Sequence, residues 1–249
     1  MLNSVSPAAG RSGKAPSDPT ATVLVFRGRA GTIEADRAAT GRLFAAAADG
    51  KRAVRVWTPP RQLAFGRRDA NRRGYDRART VARDRGFPPV ERRVGGRAVA
   101  YDGETTLAFA RAEPIADPRR GADDRYERLT ADVVDALVEF GVAVERGEPA
   151  NAFCPGSHSL QAGGGKIAGI AQRVRSDVAL VSGVVIVDGR RELAAVLEPV
   201  YDALDVAFDP GSVGSVAAAG GPAAPDRLRE SIEDALVGDG SPAVAWVGG

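Results

Sequence analysis

The stretch CPGSHSLQAGGGKIAGIAQR, residues 154–173, contains the only cysteine of the chain, its only histidine and one of its three lysines. Its cysteine is followed by proline and glycine, which favour a loop with exposed backbone, and three glycines and Lys166 then lead into an apolar run. Together with Val178–Val187, that run predicts two neighbouring strands, because both segments are short, apolar and rich in β-branched residues. The rarest reactive side chains of the chain therefore lie on a loop that leads into a sheet.

Periodic segments on both sides of this stretch predict alternating strands and helices. Strands are predicted at Thr22–Arg27, at Ala53–Trp57 and, as a hairpin around the turn pair Asp102-Gly103, within Val99–Arg111. Helices are predicted from Thr32 to Gly50, from Asn71 to Arg85, along the apolar stripe of Leu129, Val133, Leu137 and Phe140, from Arg191 to Leu204 with a break at Pro199, and from Asp226 onward. Strands that pair as hairpins between helices favour an α+β fold with a mixed or antiparallel sheet.

Length and composition limit the kind of protein this can be. The 249 residues, 44% of them hydrophobic, can bury one large core, and we divide the chain into a disordered leader at 1–20, a main domain at 21–217, and a flexible linker with a C-terminal helix at 218–249. A formal net charge of +2 without a long basic block argues against nucleic acid as a partner. The longest apolar run, Val178–Val187, is too short to span a bilayer, and a single cysteine, which closes no intramolecular disulfide, fits the cytoplasm.

The first candidate site is RRVGGRAV, residues 92–99. The pair Gly95 and Gly96, directly before a β-rich segment, lets backbone amides approach a ligand, and the arginines can neutralise an anionic group. An ordinary turn with surface arginines explains the same residues in a chain with 34 basic residues, only three of them lysines. The segment matches neither the G-x-G-x-x-G nor the Walker A pattern of nucleotide sites, so taken alone it is a weak signal.

The second candidate site comprises the loop with Cys154 and His158 and the strand that begins near Lys166. A thiolate is the strongest side-chain nucleophile near neutral pH, and it needs a nearby positive charge or a base. Lys166 is suited to supply that charge, or to hold the carbonyl oxygen of an acyl group as it becomes an oxyanion. His158 is a possible base, although a loop does not guarantee that the two side chains converge. A buried, inert thiol is the ordinary alternative for a lone cysteine, and the glycine-rich loop argues against it.

The two sites resemble, in order and separation, the two signature segments of the biotin/lipoate protein ligase superfamily. The matching residues are Arg92-Arg93-x-Gly-Gly-x-Ala-Val and Gly-Lys166-Ile-Ala-Gly-x-Ala-Gln172-Arg173, and the likeness runs from Thr22 to Ala217. Cys154-Pro-Gly-Ser-x-x-Leu160 is most similar to the octanoyl/lipoyl amidotransferase branch, because ATP-dependent lipoate ligases need no cysteine there. Gly95-Gly96-Arg97 in place of three glycines and Val181-Ser182-Gly183 in place of a His-Gly step favour the same branch, whereas an aromatic residue is more usual there at the position of His158.

The resemblance implies an α+β domain like that of class II aminoacyl-tRNA synthetases and biotin ligases, with a mixed, largely antiparallel sheet flanked by helices. It implies that Cys154 accepts the acyl group and that Lys166 holds the acyl oxygen. The residues implied to bind substrate are Arg92, Gly95, Gly96, Ala98, Gly169 and Gln172. The implied reaction moves an octanoyl or lipoyl group onto a lysine of a lipoyl domain, with 2-oxoacid dehydrogenases and the glycine cleavage H protein as partners and with no metal or other cofactor.

Two further functions are compatible with the same residues. An ATP-dependent lipoate protein ligase would activate free lipoate with ATP and Mg²⁺. A non-catalytic protein that binds lipoyl domains or small molecules would leave Cys154 incidental. Transfer through Cys154 is favoured over the ligase because ligases need no cysteine there, and over the binding protein because Cys154 and Lys166 are both present.

Overall fold

The computed structural model describes residues 22–92 and 95–248, and it contains two sheets, six α-helices and two short 3-10 helices in that part of the chain. The strands are β1 (Thr22–Arg27), β2 (Arg52–Trp57), β3 (Gln62–Phe65), β4 (Pro89–Glu91), β5 (Val99–Tyr101), β6 (Thr106–Pro114), β7 (Glu145–Arg146), β8 (Ser159–Ala162), β9 (Gly165–Val174), β10 (Val178–Ile186) and β11 (Ser241–Trp246). The helices are α1 (Ile33–Ala48), α2 (Arg67–Ala70), α3 (Tyr75–Asp84), α4 (Ala122–Val138), α5 (Arg190–Ala203) and α6 (Pro225–Val237). The predicted leader at residues 1–20 lies outside the described residues, as does Arg93.

The large sheet has eight strands in the order β11-β1-β2-β6-β10-β9-β8-β7. β1 pairs in parallel with β11 and β2, and every other neighbouring pair in this sheet is antiparallel. Helices α4 and α6 pack on one face, in a core with Leu107, Leu129 and Ile232, and α1 packs on the other through Leu43 and Phe44. The predicted α+β fold, a mixed and largely antiparallel sheet flanked by helices, is confirmed.

The predicted β9–β10 hairpin is confirmed, whereas the predicted hairpin within Val99–Arg111 is wrong. β5 belongs to a small sheet of order β4-β3-β5, and β6 lies between β2 and β10 in the large sheet. The carboxylate of Asp102 accepts hydrogen bonds from the backbone N–H groups of Glu104, Thr105 and Thr106. These bonds replace a tight two-residue turn with a wider bend, which carries the chain from one sheet into the other.

The C-terminal part of the chain differs from the sequence-based expectation in two elements. α5 continues through Pro199 without a break, held by buried side chains that include Leu193 and Val200. The predicted last helix is present as α6, but the sequence pattern does not predict β11, which forms one edge of the large sheet beside β1. Pro242 weakens the strand signal, and an edge strand tolerates proline because one side of its backbone needs no partner. Among the described residues, no helix is both long and apolar enough to cross a membrane.

Candidate active site

A cavity of about 620 Å³ lies between the large sheet, the small sheet and α1. Its wall on the large sheet is built from small residues at adjacent register positions: Ser182 pairs with Ala110 on one side and with Ala171 on the other. Alanine, serine and glycine side chains leave room above a sheet that larger residues would fill. The cavity reaches from Asp36 on α1 to Cys154, with more apolar than polar wall, as expected for a site that takes an acyl chain.

The Cys154 sulfur is the focus of hydrogen bonds from the first motif. Arg92 donates from Nη2 to Sγ over 3.0 Å, and the backbone N–H of Arg97 donates to Sγ over 3.3 Å. The same Arg92 nitrogen donates to the carbonyl oxygen of Arg97 over 2.6 Å, which fixes the guanidinium against the loop. The two predicted sites, 62 residues apart in sequence, therefore meet at one sulfur atom.

Gly96 is required where the loop passes the sulfur. Its φ is +90°, and a Cβ at this position would lie 2.8 Å from the Cys154 sulfur and 2.7 Å from the Arg92 guanidinium. On the other side, a Cβ on Gly66 would lie 2.0 Å from the Gly96 carbonyl oxygen. Only glycine lets β3 and this loop approach each other and the thiol so closely.

Tyr201, a fully buried residue of α5, connects the two motifs. Its hydroxyl accepts a hydrogen bond from the Cys154 backbone N–H over 2.6 Å and donates one to the Ala98 carbonyl oxygen over 3.0 Å. Burial, and then the neighbouring Cys154, raise the pKa of Tyr201, so its proton remains available for donation. Cys154 has a φ of +42°, which is costly for a residue with a side chain, and the hydroxyl holds it there.

Lys166 lies beneath the Cys154 loop and is 1% exposed. Its ammonium donates to the carbonyl oxygens of Phe153 and Cys154 over 3.0 and 2.8 Å, and to the Glu148 carboxylate over 2.7 Å. Because an ammonium has three N–H groups, each donor has a protein partner in this arrangement. Contact between Lys166 and an acyl oxygen would require the exchange of one of these three bonds.

Glu148 organises the other end of the Cys154 loop. Besides Lys166, its carboxylate accepts the backbone N–H of Gly156 over 3.0 Å and the Ser159 hydroxyl over 2.8 Å. The loop from residue 153 to 159 is thus bound at both ends to the Lys166–Glu148 ion pair, in which only the lysine is fully buried. Glu148 and Tyr201 cannot be recognised from the sequence, because neither lies in a motif and their partners are distant in sequence.

Of the other predicted site residues, some line the cavity and some hold the surrounding structure in place. Gly95, Gly96, Gly169 and Gln172 line the cavity, whereas Ala98 is fully buried and contributes its carbonyl oxygen to Tyr201. The Gln172 amide accepts a hydrogen bond from Arg125 and donates to the Ala122 carbonyl oxygen, so it fastens β9 to the start of α4.

The predicted base, His158, has a different environment from the thiol. Its ring stacks on the Tyr126 ring, with centroids 3.7 Å apart and an interplanar angle of 5°. The hydrogen bonds to the Cys154 sulfur come from Arg92 and Arg97. His158 therefore lies at the cavity wall, where it faces α4.

The far wall of the cavity contains a buried ion pair. The Arg55 guanidinium lies 2.9 Å from the Asp36 carboxylate and stacks over the Trp57 ring at 4.1 Å. Burial raises the pKa of Asp36, and the Arg55 charge opposes this rise. Within residues 22–92 and 95–248, no three His, Cys, Asp or Glu side chains converge in a way that could hold a metal ion.

This fold is that of the lipoate-protein ligases. Lipoate-protein ligase A, solved with bound ATP, has a TM-score of 0.69 and 18% identity over 92% of this chain and 90% of that one. The bipartite lipoate protein ligase of Thermoplasma acidophilum, described with its E2 lipoyl domain, has a TM-score of 0.65 and 16% identity over 92% and 88%. At these identities the likeness concerns the fold alone.

Residues 36–216 match the family of the lipoyl protein ligase A/B catalytic domain, and the chain belongs to this family. The octanoyl-[GcvH]:protein N-octanoyltransferase of Geobacillus kaustophilus is 34% identical over 51% of this chain and 45% of its own length. The enzyme of the same name from Kyrpidia tusciae is 36% identical over 63% and 54%, and the lipoyl-[GcvH]:protein N-lipoyltransferase of Listeria monocytogenes is 28% identical over 55% and 49%. The predicted resemblance is confirmed. The chain spans about half the length of the curated relatives that it matches.

Proposed function

We propose that this protein is an acyltransferase of protein lipoylation, which moves an octanoyl or lipoyl group through a thioester on Cys154 onto a lysine of a lipoyl domain. The observation that carries the proposal is the environment of the sulfur, which accepts hydrogen bonds from Arg92 and Arg97 at the wall of a cavity of about 620 Å³. A buried structural thiol has no need of a guanidinium, an amide donor and an adjoining cavity. The relatives named as octanoyl and lipoyl transferases support the same reaction.

In the first step, the Cys154 sulfur attacks the acyl carbonyl of the donor, which carries the group as an amide on a lysine. The C–S bond forms, the C–N bond breaks, and the donor lysine leaves as an amine with the proton that the thiol gives up. Arg92, which donates to the sulfur, neutralises its charge during attack, and the Arg97 N–H, which also donates to the sulfur, is the proposed donor to the acyl oxygen of the new thioester. Hydrogen-bond donors held in place before the reaction stabilise an oxyanion without reorganisation.

In the second step, the ε-amine of the acceptor lysine attacks the thioester. The C–N bond forms, the C–S bond breaks, and the sulfur recovers the proton that the amine loses. His158, which lines the cavity, is the proposed carrier for that proton. Lys166 holds the Cys154 loop in place through its two carbonyl contacts, and it reaches the acyl oxygen by exchanging one of them. Gly95, Gly96, Gly169 and Gln172 form the surroundings of the bound group.

The proposed donor and acceptor proteins are the glycine cleavage H protein and the lipoyl domains of 2-oxoacid dehydrogenases. Because one lysine amide is broken and another of the same kind is made, the net exchange needs no external source of free energy. We therefore propose that transfer proceeds without ATP or a metal ion. A ligase of the same fold would instead activate a free acid with ATP and Mg²⁺.

The test is to incubate the protein with octanoylated H protein and to measure its intact mass. The expected result is an octanoyl adduct on the wild type and none on Cys154→Ala or Cys154→Ser, with transfer to an apo lipoyl domain by the wild type alone. Full transfer by Cys154→Ala would exclude the thioester. Modification that depends strictly on free lipoate, ATP and Mg²⁺ would identify a ligase instead.

A further inference from the structure

The charge of this protein is distributed unevenly, and the basic part adjoins the cavity. Residues 67–85, which comprise α2 and α3, contain eight arginines and three aspartates, a formal charge of +5 in a chain whose total is +2. Helix α4 has five acidic residues and two arginines, and α6 has four and two. The arginines of 67–85 are here called the basic face.

Few charges within the protein compensate the basic face. Arg72 forms an ion pair with Asp205 at 3.5 Å and Arg77 forms one with Asp202 at 3.4 Å, but both aspartates are exposed, so the pairs are weak. In the part of the chain that the structure describes, the exposed side chains of Arg67, Arg73 and Arg83 have no hydrogen bond or ion pair. Of the three aspartates, Asp69 is fully buried and pairs with Arg97, which lies outside the basic face.

The basic face begins at the thiol site. α2 starts directly after Gly66, which packs on the Gly96 carbonyl, and Gly96 in turn packs on the Cys154 sulfur. Arg68 of α2 lines the cavity itself, and so does the exposed Arg37 of α1. α3 then extends about 15 Å, as ten helical residues do. A protein whose lysine entered the cavity would bring the surface around that lysine close to Arg68 and Arg37.

We propose that the basic face is the docking surface for the acceptor protein, and that the acceptor is a domain with acidic residues around its target lysine. The inference rests on the proposed acyl transfer, since it is the transfer that brings a lysine of another protein to Cys154. Opposite charges on the two surfaces accelerate encounter and orient the acceptor, in a way that salt weakens. A basic face could also attract nucleic acid, but the position of Arg68 in the cavity that holds Cys154 favours a protein.

The test uses the double variant Arg73→Glu/Arg83→Glu and the matched control Arg190→Glu/Arg191→Glu. Both replace two exposed arginines and change the net charge by the same amount, and the control glutamates favour the start of α5. Two quantities are measured: binding of an apo E2 lipoyl domain and of apo H protein to each enzyme at low and high salt, and octanoylation of Cys154 by a small octanoyl thioester. The expected result is acceptor binding at least about tenfold weaker for the basic-face variant at low salt, little change for the control, and equal Cys154 acylation in all three proteins.

The two measurements separate failure of docking from failure of the proposed function. Normal acylation of Cys154 with equal acceptor binding by both variants, or with binding that salt does not change, would overturn the docking surface and leave the transfer intact. If Cys154 were not acylated but acceptor binding were still lost in the basic-face variant alone, the docking surface would be supported and the proposed transfer would be overturned. Binding of DNA or RNA that only the basic-face variant loses, without binding of either acceptor domain, would overturn both.

Discussion

Replacing Tyr201 by phenylalanine removes one oxygen atom and tests whether the two motifs are joined through that hydroxyl. The substitution keeps the ring, which packs beside Phe208, and it deletes the bonds to the Cys154 N–H and the Ala98 carbonyl oxygen. A buried polar group that loses its partner costs about 1–3 kcal/mol. Since two groups are affected and Cys154 is only partly buried, we expect the free energy of unfolding to fall by about 2–4 kcal/mol.

The same substitution should alter the thiol, because the hydroxyl holds Cys154 at a φ of +42°. We expect slower alkylation of Cys154 by iodoacetamide and slower thioester formation, together with a lower urea midpoint at constant m-value. Tyr75→Phe is the matched control, since it removes a hydroxyl that bonds to the exposed carboxylate of Glu91. The reasoning is refuted if Tyr201→Phe destabilises no more than Tyr75→Phe and leaves alkylation unchanged.

Three further substitutions address separate parts of the structure. Gly96→Ala should abolish thioester formation and slow alkylation of Cys154, because the added Cβ would lie 2.8 Å from the sulfur; wild-type alkylation kinetics would contradict this. Burial alone would raise the pKa of Asp102, but hydrogen bonds from Thr105 and neighbouring N–H groups outweigh burial and lower the pKa. The carboxylate therefore stabilises the fold above about pH 4, and this stabilisation is lost as the pH falls through the lowered pKa. Asp102→Asn should therefore destabilise at pH 7 and less at pH 3 in urea titrations, and an equal loss at both would contradict it. Lys166→Met should slow alkylation of Cys154 as well as its acylation, because the lysine ammonium holds the Cys154 carbonyl oxygen. Alkylation forms no oxyanion. A loss confined to acylation would therefore mean that Lys166 acts on the acyl oxygen alone.

The sequence predicts the parts of this structure that depend on neighbouring residues. β9 and β10 are adjacent apolar runs, and their hairpin follows from local composition. The amphipathic stripe that begins at Leu129 likewise marks α4. Asp102-Gly103 also has the composition of a hairpin turn, but the strands on its two sides, β5 and β6, belong to different sheets. Tertiary packing decides that β5 pairs with β3 and that β6 pairs with β10, and a local turn signal contains no information about these pairings.

The site shows the same division between local and distant information. Cys154 and Lys166 can be recognised as reactive because their types are rare and their context is a glycine-rich loop. The sequence does not indicate that each proton of the Lys166 ammonium has a protein acceptor, because one of those acceptors, Glu148, lies 18 residues away outside any motif.

Because Lys166 is bound to the Cys154 loop and to Glu148, its loss should affect the loop itself as well as any contact with the acyl group. Removal of one member of a buried ion pair leaves the other charge uncompensated, at a cost of about 3–5 kcal/mol when both are fully buried. Glu148 is 19% exposed, so the cost of losing Lys166 lies below that range, yet it falls on the loop that bears the nucleophile. The lysine is thus coupled to the thiol through the backbone of residues 153 and 154 before any substrate is bound. Loss of activity in a lysine variant therefore does not by itself reveal contact with the acyl group, and the comparison of alkylation with acylation separates the two roles.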